Sequence, residues 1–162
     1  MDLRTTTFGM KKDTIIGFWN VRTLYQAGKM RQLTAEAERY KLDILGVSEV
    51  RWNEFGEMRV ASGQTFLYSG MPNADDPHQE GVGILLSSRA KNSLLDWKPV
   101  SSRIIFARFK GKVRNISILQ CYAPTENAEA ESKAHFYAEL QTMMQTINKK
   151  DILIVMGDFN AK

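Results

Sequence analysis

The sequence predicts an α/β domain. Three observations predict it: short apolar runs of strand length alternate with amphipathic helical stretches, the opening reads strand, helix, strand, and several strands stop on a polar residue. The last stretch, Ile152–Lys162, shows the pattern most plainly. Its five consecutive apolar residues, Ile152 to Met156, fit a strand buried on both faces. The run breaks at Gly157 and presents Asp158 and Asn160 just past the strand end. A carboxylate and a carboxamide there can hold a water or a phosphate oxygen. A Gly-Asp turn closing a core strand explains the same residues about equally well.

Taken in order, residues 1–13 read as a polar leader with no apolar segment of the signal-peptide kind. Thr14–Trp19 is a short apolar strand that stops at Asn20. Met30, Leu33, Ala37 and Tyr40 recur at helical spacing, and Ile44–Val47 is a second buried strand that stops at Ser48-Glu49. These three elements read as a βαβ unit with parallel strands. Val50–Tyr68 is less regular, with Thr65–Tyr68 as its one strand-like run. Met71–Glu80 is rich in breakers and reads as an exposed loop. Gly81–Leu86 is another apolar strand; its Gly81-Val82-Gly83 lacks the third glycine and the helix of a dinucleotide fingerprint. Arg103–Phe109 and Val113–Tyr122 flank Lys110-Gly111-Lys112 and read as a β-hairpin, the second arm placing Ile116, Ile118, Gln120 and Tyr122 on one face. Glu129–Asn148 is the longest helix, with Phe136, Leu140, Met143, Met144 and Ile147 as its stripe and His135 off it, a solvated position.

The 162 residues suit one domain, and 43% hydrophobic residues suffice for a core. A net charge of +4 suits a polyanionic partner. The single cysteine, Cys121, cannot form an internal disulfide, which favours a reducing compartment: intracellular, nuclear or cytoplasmic, and not secreted. No apolar run approaches the roughly 20 residues that span a bilayer.

Four strands thus end in Asn20, Glu49, Tyr122 and the Asp158/Asn160 pair. Functional groups in open sheets gather beyond the carboxyl ends of strands. Each residue alone has an ordinary explanation: Asn20 a turn former, Glu49 a surface acid, Tyr122 a rim aromatic. Together they form a kit for metal-assisted attack of water on a phosphodiester, with Glu49 the natural oxygen ligand for Mg²⁺.

The wording around them is specific. Trp19-Asn20-Val21-Arg22-Thr23, Ser48-Glu49-Val50-Arg51-Trp52, Gln120-Cys121-Tyr122-Ala123-Pro124-Thr125 and Gly157-Asp158-Phe159-Asn160-Ala161 stand in the order of the endonuclease/exonuclease/phosphatase superfamily. They most resemble the endonuclease domains of non-LTR retrotransposon reverse transcriptases and the craniofacial development protein 2-like proteins. The resemblance implies a two-sheet αββα sandwich of the deoxyribonuclease I-like type and a Mg²⁺-dependent (or Mn²⁺-dependent) phosphodiesterase that nicks DNA. It implies Glu49 and Asn20 at the metal, Tyr122, Asn160, Arg51 and Arg22 at the phosphate, and Asp158 on the water, with Asn20, Tyr122, Asp158 and Asn160 as the catalytic set. It also implies a DNA partner, no membrane, and in a longer protein a reverse transcriptase. Family members continue past this point to a Ser-Asp-His motif. The expectation is therefore the N-terminal part of such a domain over residues 14–162, truncated in its C-terminal half and with apolar sheet surface left uncovered. A catalytically dead remnant or a nucleic-acid-binding fragment is the alternative.

Overall fold

The computed structural model describes residues 13–60 and 62–160. The expected leader lies outside the described residues except for Asp13, as do Ala161 and Lys162. In chain order the elements are β1 (Ile16–Asn20), α1 (Lys29–Arg39), β2 (Ile44–Ser48), β3 (Phe55–Arg59), β4 (Thr65–Ser69), β5 (Val82–Leu86), α2 (Ser88–Ser93), β6 (Leu94–Pro99), β7 (Ile104–Phe109), β8 (Ile116–Tyr122), α3 (Ala130–Thr146) and β9 (Ile152–Asp158).

Among the described residues the strands form two mixed sheets, ordered β1-β2-β5-β4-β3 and β6-β7-β8-β9. The predicted βαβ unit is present: β1 and β2 are parallel and joined by α1. A second unit mirrors it, with β8 and β9 parallel and joined by α3. The predicted hairpin is β7 and β8, antiparallel, with Phe109 opposite Ile116. Its second arm begins later than the apolar pattern indicates, because Val113 stands 91% exposed in the connecting loop.

The two sheets pack face to face around Ile44, Leu67, Ile84, Leu86, Ile105, Phe109, Ile118 and Met156. Helix α1 covers the outside of the first sheet, where Leu33 and Ala37 meet Leu45, Val47 and Leu85. Helix α3 covers the outside of the second, where Phe136 and Leu140 meet Phe106, Leu119 and Cys121. The result is the expected four-layer α/β sandwich. The inward side chains of β8 alternate as the sequence indicates: Ile118 and Gln120 enter the seam between the sheets, Leu119 and Cys121 face α3.

Two expectations need correction. Strand β9 is not buried on both faces: Met156 is buried, while Ile152 is 44% exposed. Among the described residues the strand has only β8 as a hydrogen-bonded neighbour and lies at the sheet edge. Tyr40 and Met144, placed on helical stripes by spacing, are 60% and 42% exposed because Tyr40 caps α1 beyond its last turn and α3 turns Met144 outward. Apolar surface of the kind expected is left at the sheet edges, where Phe18, Trp19 and Ile152 stand exposed, while the seam between the sheets is filled from within this chain.

A buried carboxylate pins the start of β9. Asp151 is 7% exposed and accepts from Arg108 Nε at 2.7 Å, Arg108 Nη2 at 2.9 Å and Ser117 Oγ at 2.8 Å. The Arg108 hydrogen bonds hold this carboxyl below its ordinary range, against burial, which raises it. A lowered folded pKa gives stability that is present above the unfolded carboxylate pKa and is lost as the pH falls through the folded one. Asp151→Asn is expected to lower stability at pH 7 by about 2 kcal/mol, the cost of one charge-assisted hydrogen bond with Arg108 partly solvated. Denaturant melts at neutral pH and below the ordinary carboxylate range should show the gap between the two proteins closing on acidification.

Candidate active site

Register brings the strand ends together. Asn20 lies beside Ser48 at the ends of β1 and β2, and Tyr122 beside Asp158 at the ends of β8 and β9. Because the sheets pack face to face, these four carboxyl ends share one rim, and Glu49 follows Ser48 directly onto it.

At the rim, the Asn20 carboxamide Nδ2 donates to Glu49 Oε1 and to Asp158 Oδ2, each at 2.8 Å. The Tyr122 hydroxyl donates to the same Glu49 Oε1 at 3.1 Å. Asn20 Oδ1 accepts from the Arg22 backbone N–H at 2.9 Å. Asn160 joins from the side: its N–H donates to Asp158 Oδ1 at 2.9 Å, and its Nδ2 to the Ala123 carbonyl at 2.6 Å. Arg51 brings Nη2 to 3.6 Å from Glu49 Oε2. The structure thus joins Asn20, Glu49, Tyr122, Asp158 and Asn160 in one network with Arg51 at its margin. The Arg22 guanidinium stands apart, exposed on the wall of a cavity of about 370 Å³ that it shares with Asn20, Thr23, Lys29 and Gln32.

The backbone is bent to make this. Arg22, Glu49, Arg51 and Asn160 have φ of 61°, 57°, 62° and 48°, in the left-handed region that non-glycine residues rarely enter. Such conformations persist only where the surroundings enforce them. Here Val50 is fully buried beside Glu49, its N–H bonded to the Gly81 carbonyl at 3.0 Å. Trp52 packs edge-on against Phe66 and Tyr68, with centroids at 5.4 and 5.2 Å. Gly157, at φ 138°, has no room for a side chain, since a Cβ would stand 2.0 Å from the Cys121 carbonyl oxygen.

The donor set fits a divalent cation. Two carboxylates from different sheets converge on one amide NH₂, and Mg²⁺ takes one or two carboxylates with water and phosphate completing its shell. Among the described residues, no group of three or more His, Cys, Asp or Glu is arranged to hold a metal.

Sequence reasoning missed two neighbours of the rim. Arg103 lies over the Tyr122 ring, its guanidinium carbon 5.1 Å from the centroid, and pairs with Glu80 at 2.8 Å. No motif marks either residue; only the pairing of β7 with β8 places Arg103 at Tyr122. Burial pushes the Tyr122 phenol up to about 12, with the charge and hydrogen bond of Glu49 adding to it and Arg103 opposing.

The profile of the endonuclease/exonuclease/phosphatase family matches residues 17–162. The chain belongs to this family. It is 35% identical over 152 residues to craniofacial development protein 2 of Bos taurus, covering 94% of this chain, and 34% identical to that of Tragulus javanicus. It spans about a quarter of the length of these curated relatives. Solved structures share the fold at low identity. D. rerio TDP2 complexed with a single-strand DNA product superposes with a TM-score of 0.62 at 15% identity, over 91% of this chain and 60% of that one. The endonuclease domain of TRAS1, a telomere-specific non-LTR retrotransposon, gives 0.59 at 19%, over 93% and 60%. The architecture is thus that of the family's nucleases and phosphodiesterases, a deoxyribonuclease I-like sandwich.

Two outcomes follow from the geometry. In Gly157→Ala the end of β9 must move off Cys121, carrying Asp158 away from Asn20; a crystal structure or backbone amide shifts showing Asp158 in place would contradict the steric account. Spectrophotometric titration of wild type minus Tyr122→Phe should show a phenol ionising at about 12, moved down by Glu49→Gln. Since its folded pKa is raised, its contribution to stability holds below about pH 10 and fades as the pH climbs toward 12.

Proposed function

We propose that this rim is the cation- and phosphate-handling part of a Mg²⁺-dependent phosphodiester hydrolase, a DNA-nicking endonuclease of retrotransposon type. One observation carries the reading: a carboxamide held between carboxylates of two sheets, with a tyrosine hydroxyl on the same Glu49 oxygen. Glu49, with Asn20 beside it, would hold the cation, which supplies Lewis-acid stabilisation of charge on a phosphate oxygen.

This chain's own residues do the rest. Asp158 accepts one hydrogen bond on each oxygen, from Asn20 and from the Asn160 N–H, so lone pairs remain to orient a water and take its proton. The water oxygen forms the new bond to phosphorus and the ester oxygen leaves. The Tyr122 phenol stays protonated at neutral pH; its single O–H, given to Glu49 here, would turn to the phosphate when Glu49 holds the cation. The Asn160 carboxamide gives one N–H to the Ala123 carbonyl and keeps a second N–H as the donor for a phosphate oxygen. Arg51 and Arg22, both exposed, neutralise flanking phosphates. An intracellular site of action and a reverse transcriptase in the longer protein belong to the same proposal.

The exposed arginines also favour a second reading, a nucleic-acid-binding fragment without hydrolysis. Calorimetry with Mn²⁺ should show Glu49→Gln weakening the cation by at least the ~10-fold that loss of an outer-shell partner costs; equal affinities would remove Glu49 from the site. Duplex titration over a salt series should show each of Arg22→Ala and Arg51→Ala lowering the salt slope by about one. With supercoiled plasmid and Mg²⁺, nicking that chelation stops and Asp158→Ala reduces by about 10²–10⁴-fold supports the hydrolase. Cation and DNA binding with the plasmid left intact supports the binding fragment.

A further inference from the structure

We infer that Arg103, held by Glu80, is the positioning residue for Tyr122, fixing the ring so that its hydroxyl meets Glu49 and, in the proposed reaction, the phosphate. This rests on the hydrolase reading for its consequence but on geometry alone for its existence.

One side chain makes two contacts with Tyr122 and one with Glu80. Arg103 Nη1 donates to the Tyr122 carbonyl at 3.0 Å, the guanidinium carbon lies over the Tyr122 ring 5.1 Å from its centroid, and Nη2 donates to Glu80 Oε1 at 2.8 Å. Backbone pairing adds a fourth, the Tyr122 N–H to the Arg103 carbonyl at 2.9 Å. Glu80 is itself fixed: the Ser102 hydroxyl donates to its other oxygen. The same Glu80 carbonyl accepts the Arg51 N–H at 2.8 Å, and the next residue, Gly81, bonds Val50 and Ser102 through its carbonyl and N–H at 3.0 Å each. The contacts therefore close a circuit. It runs from Glu49 through Val50 and Arg51 to Glu80, through Arg103 to Tyr122, and from the Tyr122 hydroxyl back to Glu49.

Only a guanidinium fits this place. Its fork spans a carbonyl and a carboxylate while its carbon stands over a ring, whereas an ammonium is a compact point charge without that fixed fork. A ring without this cover has one wall fewer, and its hydroxyl swings away from Glu49. Displacing a reacting group by about 1 Å can cost about 10²-fold in rate. The pair is only partly exposed, 24% for Arg103 and 23% for Glu80, so water screens it incompletely.

The test uses the full chain labelled with ring-¹³C tyrosine. Tyr122 is identified among the five tyrosines by Tyr122→Phe. In Arg103→Lys the Tyr122 ring resonances should shift or split while those of the other tyrosines stay in place. Glu80→Gln, which leaves β7 untouched, should do the same more weakly and guards against a misfolded lysine variant. Plasmid nicking with Mg²⁺ should lose about tenfold in kcat with KM within twofold, and the loss should vanish in a Tyr122→Phe background, since the hydroxyl being placed is gone. Unmoved Tyr122 resonances in both variants would overturn the inference. So would a loss that persists in full without the Tyr122 hydroxyl, the mark of a merely structural role. Resonances that respond in a protein that binds Mg²⁺ but nicks nothing would sink the hydrolase reading and leave the clamp standing.

Discussion

The seam between the sheets is held in register by one buried polar contact, and the rim depends on it. Gln120, fully buried on β8, donates Nε2 to Ser48 Oγ at 3.1 Å, and Ser48 donates to the Cys121 carbonyl at 3.2 Å. Ser48 precedes Glu49 and Cys121 precedes Tyr122, so this contact lies one residue below the two groups that share a hydrogen bond above it. Apolar packing alone is non-directional and would let the sheets slide. A buried hydrogen bond does not slide, because breaking it leaves a polar group unpaired in the core. Among the described residues Gln120 Oε1 accepts no hydrogen bond, directly beneath the site. Gly46 accommodates the arrangement: a Cβ there would lie 2.0 Å from that oxygen.

Much of this was legible in sequence. The opening βαβ unit announces itself by apolar runs interrupted by an amphipathic helix; the second was legible only as its separate elements, and each strand of the two units ends on a residue that reaches the rim. Asn20, Glu49, Tyr122, Asp158 and Asn160 were visible because each punctuates an apolar strand and sits in a worded motif. Other parts were not legible for physical reasons. β3, Phe-Gly-Glu-Met-Arg, is an exposed edge with no alternating pattern. The short α2 is marked by little beyond its Ser87 cap, which accepts from the Ala90 N–H at 3.1 Å. β6 alternates poorly because its pairing with β7 shifts register between Leu94 and Asp96. Arg103 and Glu80 were invisible because what makes them neighbours of Tyr122 is the pairing of strands far apart in sequence, and local composition does not encode pairing.

The two edges deserve comparison with the interior. β1 and β9 are the outer strands of their sheets and lie side by side. Phe18 and Trp19 on β1 are 59% and 48% exposed, the largest apolar groups beside the rim. Central strands such as β2 and β5 are buried at every position, so their apolar runs were read correctly. A run of apolar residues reports how hydrophobic a strand is, whereas its burial also depends on how many neighbours topology provides. That is why β9, the most apolar run at the end of the chain, misled on burial while its polar end did not mislead on position.

Four rim residues adopt a backbone conformation that glycine would enter without strain. Glu49, Arg51 and Asn160 also carry groups of the rim network, and Arg22 lines the cavity beside it. Glycine at any of the four would relieve the strain and take the functional group with it, so the ease of the turn and the chemistry of the surface make opposite demands on the same residue.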